Sequence, residues 1–215
     1  TATVTPNARG LAVAGDGSAV FVSRFISPQA HGELVEINPT TLATVRTIQL
    51  AHDPGPDTDV SGRGVPNGLG APVIAPDGGV IKLPSKKDNT RRGAALDGLT
   101  HTFESTVRSI VSQVNISNRS EQLSARRDLN NRDIATAVAF NPRGDLYFVT
   151  TQGTNGVDVF HRYSNQHLAA IDSVGLAPQG LVVAPDGRRL FVQSFLSRSI
   201  EVFDIAEIVN FGRNT

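Results

Sequence analysis

Four glycines, each closing a short turn between two apolar stretches, constrain this chain more than any other feature. Gly17, Gly78, Gly144 and Gly187 end the turns GDG, PDG, PRG and PDG. Proline fixes φ early in such a turn and glycine supplies the positive φ that ends it. The same unit surrounds each glycine and is clearest at Ala177–Ile205, APQGLVVAPDGRRLFVQSFLSRSIEVFDI. There Gln179–Ala184 is small and apolar, while Arg189–Gln193 and Ser199–Phe203 are β-branched and aromatic. Three short strands with two turns result. Related units lie at Asn7–Ile37, Gly70–Val114 and Ile134–Phe160. A repeated strand–turn–strand–loop–strand unit is the signature of a propeller blade.

The interval from Gly144 to Gly187 is that of a bare repeat, about 40–50 residues. The two earlier intervals are each longer by roughly 20 residues. In the first three units a polar turn leads to a fourth strand, at Ala43–Leu50, Glu121–Arg127 and His167–Ser173. The expectation is an all-β fold: one β-propeller domain, residues 1–215, with about four four-stranded antiparallel blades. They cover residues 7–50, 70–127, 134–173 and 178–215, with insertions at 51–69 and 85–105. Thr1–Thr5 is a candidate strand of a further blade, and Ile205–Thr215 is either a last strand or a short helix. A β-sandwich is the competing fold, but it gives no reason for the turn to recur at one place in each unit.

Composition removes several functions. Lys+Arg and Asp+Glu both number 20, and this balance argues against bulk nucleic-acid or anionic-membrane binding. The absence of Cys excludes disulfides, thiolate catalysis and covalent c-type haem within the chain. No apolar run approaches the roughly 18 residues of a membrane span. The start at Thr1, without Met or a signal-peptide pattern, implies a processed or trimmed chain, or a fragment.

Propeller connectivity puts the tight Pro-Asp-Gly turns on one face. Both insertions and the second-to-third-strand loops lie on the other. Loops held on a rigid scaffold are where binding concentrates. The loop face carries Arg24, Arg63, Lys86, Lys87, Arg91, Arg92, Arg132 and Arg198, with Asn67 and Asn89 on the same insertions. Such cations suit a carboxylate or phosphate ligand, or a partner's acidic surface. They suit equally a structural network with Asp53, Asp57, Asp59, Asp88, Asp97 and Asp133. Asp53, Asp57 and Asp59, in DPGPDTD, have the hard-oxygen composition of a calcium loop without EF-hand spacing; a solvated acidic loop is the alternative. His31, His52, His101, His161 and His167 form no H-x-x-x-H pair, and G-x-S-x-G is missing. His52 and His101 read as surface-loop histidines. Gly153–Gly156 (GTNG) reads as a hairpin turn rather than a phosphate loop.

The units also resemble YVTN-type propeller repeats, P-x-G-[LV]-[AV]-[VF]-x-P-x-G-[RD]-x-[LI]-[FY]-V followed by V-x-V-[FI]-D. Gln179–Val192 with Ile200–Asp204 carries the resemblance best. Ala135–Val149 and Asn7–Val22 follow, with His161 where the pattern prefers Asp, and Gly70–Leu83 matches only in its turn. In the insertions, Ser61–Asn67 (SGRGVPN), Ser85–Gly93 (SKKDNTRRG) and Asn131–Asp133 (NRD) resemble a subgroup of bacterial secreted proteins. There the propeller sits beside a di-haem peroxidase-like domain with c-type haem. The resemblance implies a seven-bladed ring of which this chain holds about four blades, a secreted or periplasmic bacterial location, and haem only in a separate domain. The expected function is a non-catalytic binding or scaffold propeller with a basic loop face. Its partner is a neighbouring domain, a second chain completing the ring, or an anionic ligand. The alternatives are an enzyme-associated propeller, either a lactonase-like hydrolase or a redox protein with its haem elsewhere, and a structural surface-layer repeat. Apolar inner residues such as Leu11, Val73, Ala137 and Leu181 count against catalysis at the axis.

Overall fold

A computed structural model of the chain describes residues 1, 3–88 and 107–212. The described residues form four antiparallel sheets and one short helix, a β-propeller of four blades. Blade one is β1 (Ala8–Val13), β2 (Val20–Arg24), β3 (His31–Ile37) and β4 (Thr44–Ala51), paired in that order. Blade two is β5 (Val65–Asn67), β6 (Val73–Ile74), β7 (Val80–Asp88), β8 (Arg108–Asn115), β9 (Ser120–Glu121) and β10 (Arg127–Leu129). Both β5 and β6 pair with β7, while β9 and β10 pair with β8, so its inner and outer strands are each split. Blade three is the regular meander β11 (Ala135–Phe140), β12 (Leu146–Thr151), β13 (Gly156–His161) and β14 (His167–Asp172). Blade four has three strands, β15 (Pro178–Val183), β16 (Arg189–Ser194) and β17 (Ser199–Asp204), followed by helix α1 (Ala206–Gly212).

The repeat is stricter in space than in sequence. All four turn glycines have φ between 70° and 74°. Ten residues before each stands a second left-handed residue: Asn7, Gly68, Ile134 and Ala177, with φ of 57°, 63°, 40° and 56°. In blades one, three and four its carbonyl accepts the N–H of Phe25, Gln152 or Phe195, at 2.8–2.9 Å, which ties the entry of the inner strand to the loop after the second. Two glycines let inner strands touch: a Cβ on Gly10 would collide with Ala71, and one on Gly70 would lie 2.8 Å from the carbonyl oxygen of Thr136.

Three apolar layers join the blades. Phe21, Leu34 and Ile48 of blade one meet Ile81, Leu83 and Val114 of blade two. Val111 and Leu129 of blade two meet Val138, Tyr147 and Phe160 of blade three. Phe148, Val157 and Val159 of blade three meet Leu190 and Val192 of blade four. Strand alternation gives each blade one apolar face for the preceding blade and another for the following one.

Two local expectations change, and at the C-terminus one of two expected alternatives is realised. The fourth strand of blade two, expected over Glu121–Arg127, is broken by a 3-10 turn at Leu123–Ala125. A buried ion pair spans the break, Arg126 Nη2 to Glu121 Oε1 at 2.7 Å, and also reaches Ala51 of blade one through the N–H and the carbonyl of that residue. Thr1 and residues 3–5 form no strand; Val4 packs on Val22, Val35 and Ile37. Ile205–Thr215 contributes a helix, whose Val209 joins the layer between blades three and four.

Candidate functional site

The two insertions meet on one face. Val65–Asn67, expected within a loop, is strand β5, and it pairs with Lys86–Asp88 at the end of β7. Lys86 and Lys87 are therefore strand residues. The side chain of Lys87 is fully buried, with Nζ 2.8 Å from Asp53 Oδ2 and 2.7 Å from Asp128 Oδ2. Asp53 also accepts the N–H of Gly55 at 3.0 Å. Burial, the largest single influence, would raise the pKa of Asp53, but the hydrogen bonds from Lys87 and the Gly55 N–H together with the charges of Lys87 and Arg126 outweigh it and hold the carboxyl below its ordinary range. Arg63 Nε lies 3.0 Å from Asp57 Oδ2, and its backbone N–H donates to Asp57 Oδ1 at 2.7 Å. Asp59 offers its backbone carbonyl to Arg108 at 3.1 Å. Asn67 donates to Asp88, and its Oδ1 accepts the N–H of Ser27 from blade one at 2.9 Å. Arg24 pairs with Glu33 at 2.9 Å, and Arg132 with Asp158 at 2.8 Å and Asp172 at 3.0 Å.

Most of the cations expected at a binding surface thus hold the loops together. Cations engage the carboxylates of Asp53 and Asp57, and no group of three or more His, Cys, Asp or Glu among the described residues is placed to hold a metal ion. Asn89, Arg91 and Arg92 lie outside the described residues, as do Asp97 and His101.

One concavity on this face is not consumed by the network. It has a volume of about 330 Å³ and sits where the inner strands begin, at the mouth of the axis. Arg9 of β1, Phe25, Lys86, Thr136 of β11, Gln152 and Gln179 of β15 line it, so all four blades contribute. Arg9 lies over the Phe25 ring at 5.2 Å, and among the described residues no carboxylate pairs with it. Lys86 is only partly buried and its Nζ is 3.1 Å from Asp88. Gln179 Nε2 donates to Gln152 Oε1 at 3.4 Å, and the Thr136 hydroxyl donates to the carbonyl of Pro178 at 2.8 Å. Two cations and two amides around one opening are donors for a carboxylate or phosphate. A second hollow of about 350 Å³ surrounds Arg132, where Asp158 Oδ1 is also 2.8 Å from His167 Nε2.

No family model and no curated protein matches the chain. Solved structures do. Hydrazine synthase of Kuenenia stuttgartiensis aligns with 92% of this chain and 71% of its own, at 14% identity and a TM-score of 0.55. A functionally unknown protein from Desulfotomaculum acetoxidans aligns with 93% of this chain at 16% identity and a TM-score of 0.61. The chain spans about half the length of that second protein, 52%. At these identities the likeness is one of fold.

Of the mouth, the sequence singled out only Lys86 as a binding residue. Arg9, Gln152 and Gln179 lie in different blades, and only the ring brings them together. Their shared place, beside the left-handed residue ten positions before each turn glycine, was the available signal. Asn7 and Gly68 advertise that conformation, whereas Ile134 and Ala177 do not.

Proposed function

We propose that the chain is a non-catalytic binding or scaffold module whose axial mouth takes an anionic group, from a partner domain or a free ligand. One observation carries this reading: Arg9, a cation with no carboxylate partner among the described residues, faces a four-blade concavity beside Lys86. Arg24, Arg63, Lys87 and Arg132 are each engaged by a carboxylate, so among these described loop-face cations the scaffold role accounts for the charge and the mouth is left as the candidate surface. The YVTN-type repeat, a secreted or periplasmic bacterial location and a neighbouring haem-bearing domain rest on the resemblance of the repeats and of SGRGVPN, SKKDNTRRG and NRD.

Calorimetric titration with inorganic phosphate, and separately with a dicarboxylate such as succinate, tests the reading. Binding is expected, at an affinity that falls at least tenfold in Arg9→Ala and falls with salt. Equal binding by Arg9→Ala, or none of either anion by the parent chain, overturns it.

A further inference from the structure

One repeat position builds the axial mouth. Two residues after the left-handed residue of each blade come Arg9, Gly70, Thr136 and Gln179, and all four line the opening. Three of them carry polar side chains. The fourth, in blade two, carries none, so the ring of four is open on that side. The Thr136 hydroxyl is bonded to the carbonyl of Pro178 at 2.8 Å, and Lys86 is matched by Asp88 at 3.1 Å. Arg9 is left as the cation with no carboxylate partner among the described residues.

The rest of the wall is apolar. Phe25 and Ile134 line the opening from blades one and three, and each is 40% exposed. Phe25 is held by its backbone on both sides. Its N–H donates to the carbonyl of Asn7, and its own carbonyl accepts the N–H of Gly68, each at 2.8 Å. Its ring lies 5.2 Å from the Arg9 guanidinium, so the cation and the apolar wall meet. Ile134 is the less expected residue. Its φ is 40°, a conformation that a β-branched residue reaches only with strain. Asn7, Gly68 and Ala177 hold the equivalent places in the other blades. The backbone there does not require isoleucine, and a side chain this exposed is not held by the core. It serves as wall of the mouth instead.

We propose that the mouth takes a small monoanionic carboxylate that carries a flat apolar group, an arylalkyl carboxylate, and that Ile134 selects for the apolar group. This rests on the reading of the mouth as an anion site. One unmatched guanidinium balances a monoanion, and its planar fork of donors pairs with a carboxylate. The volume of about 330 Å³ lies at the lower end of ligand cavities, roughly 300–1,000 Å³, and so has room for one ring on a short chain. Each methylene that moves from water onto Phe25 and Ile134 is worth about fourfold in affinity.

Titration of phenylpropionate and of propionate, followed by NMR chemical shifts, tests the proposal, since the two acids share a carboxylate and differ in the apolar group. Phenylpropionate is expected to bind at least tenfold more tightly. In Ile134→Asn that preference is expected to shrink at least fivefold, with the affinity for propionate unchanged. The melting temperature of this variant is expected to hold or rise, because asparagine accepts the left-handed conformation. Ile134→Gly, which that backbone also accepts, is expected to behave alike. Arg9→Ala is expected to weaken both acids together. Equal affinity for the two acids overturns this inference and leaves the anion reading standing. A preference that survives both Ile134 variants also overturns it, because the apolar group is then bound elsewhere. Failure of both acids to bind removes the anion reading and this inference with it.

Discussion

Lys82 shows how much one side chain in a blade joint can carry. It lies in β7 on the face toward blade three, fully buried, with Nζ 4.3 Å from the centre of the Tyr147 ring and no hydrogen-bond partner. Blades three and four hold Phe148 and Phe191 at the equivalent place, so here a lysine fills an aromatic site. Burial, with a smaller contribution from the charge of Arg162, lowers its pKa from 10.5 to about 7. The sign of the linkage follows. Between about pH 7 and 10.5 the unfolded chain holds a proton that the folded chain does not, so stability rises with pH across that window. The slope is on the order of 1 kcal/mol per pH unit. Below pH 7 the folded state carries the full cost of a buried ammonium. Lys82→Met is therefore expected to be more stable than the parent at pH 6 and to lose the rise toward pH 10. Urea denaturation at three pH values reads this directly, and a Lys82→Met protein that keeps the slope excludes Lys82 as its origin. The lysine is plain in the sequence, but its burial is not, because only the pairing of β7 with β6 and β8 assigns it to an inward face.

At the scale of elements, legibility tracks how local the determinants are. The Pro-Asp-Gly turns were legible because glycine and proline act within the turn itself. Blade two was less so, since β5 comes from one insertion and its partner residues from the start of the other. The segment SKKD has no apolar alternation, and its strand conformation comes from the backbone ladder and the Lys87 ion pairs rather than from propensity. Asp128 of β10 is the third member of that cluster, and nothing local to Lys87 pointed to it. Removing the ammonium leaves Asp53 and Asp128 facing each other without their shared cation. Lys87→Met is expected to destabilise the protein by on the order of 3 kcal/mol, and to do so more at pH 8 than at pH 4, where the carboxylates begin to protonate. Thermal melts at the two pH values check this. A melting temperature within one or two degrees of the parent at both would show that the network contributes little and return Lys87 to the list of candidate binding residues.

For the whole molecule, blade count was legible from the period of the turns, while the state of the two ends was not. Each blade contacts its neighbours alone, so stability is close to a sum of blade terms and joint terms. Blade three has joints on both sides, and every residue of β12 is buried. Among the described residues blade four has one joint, three strands and a face carrying Ile200 and Val202 in solvent, with α1 beside β14. Amide protection should follow this asymmetry. In this chain β12 and β13 are expected to exchange only through global unfolding, while β17 exchanges through a local opening several kcal/mol cheaper. Hydrogen exchange read by mass spectrometry, strand by strand, checks this. If β17 is as protected as β12, blade four is stabilised from within its own three strands and α1, and the number of joints does not set local stability.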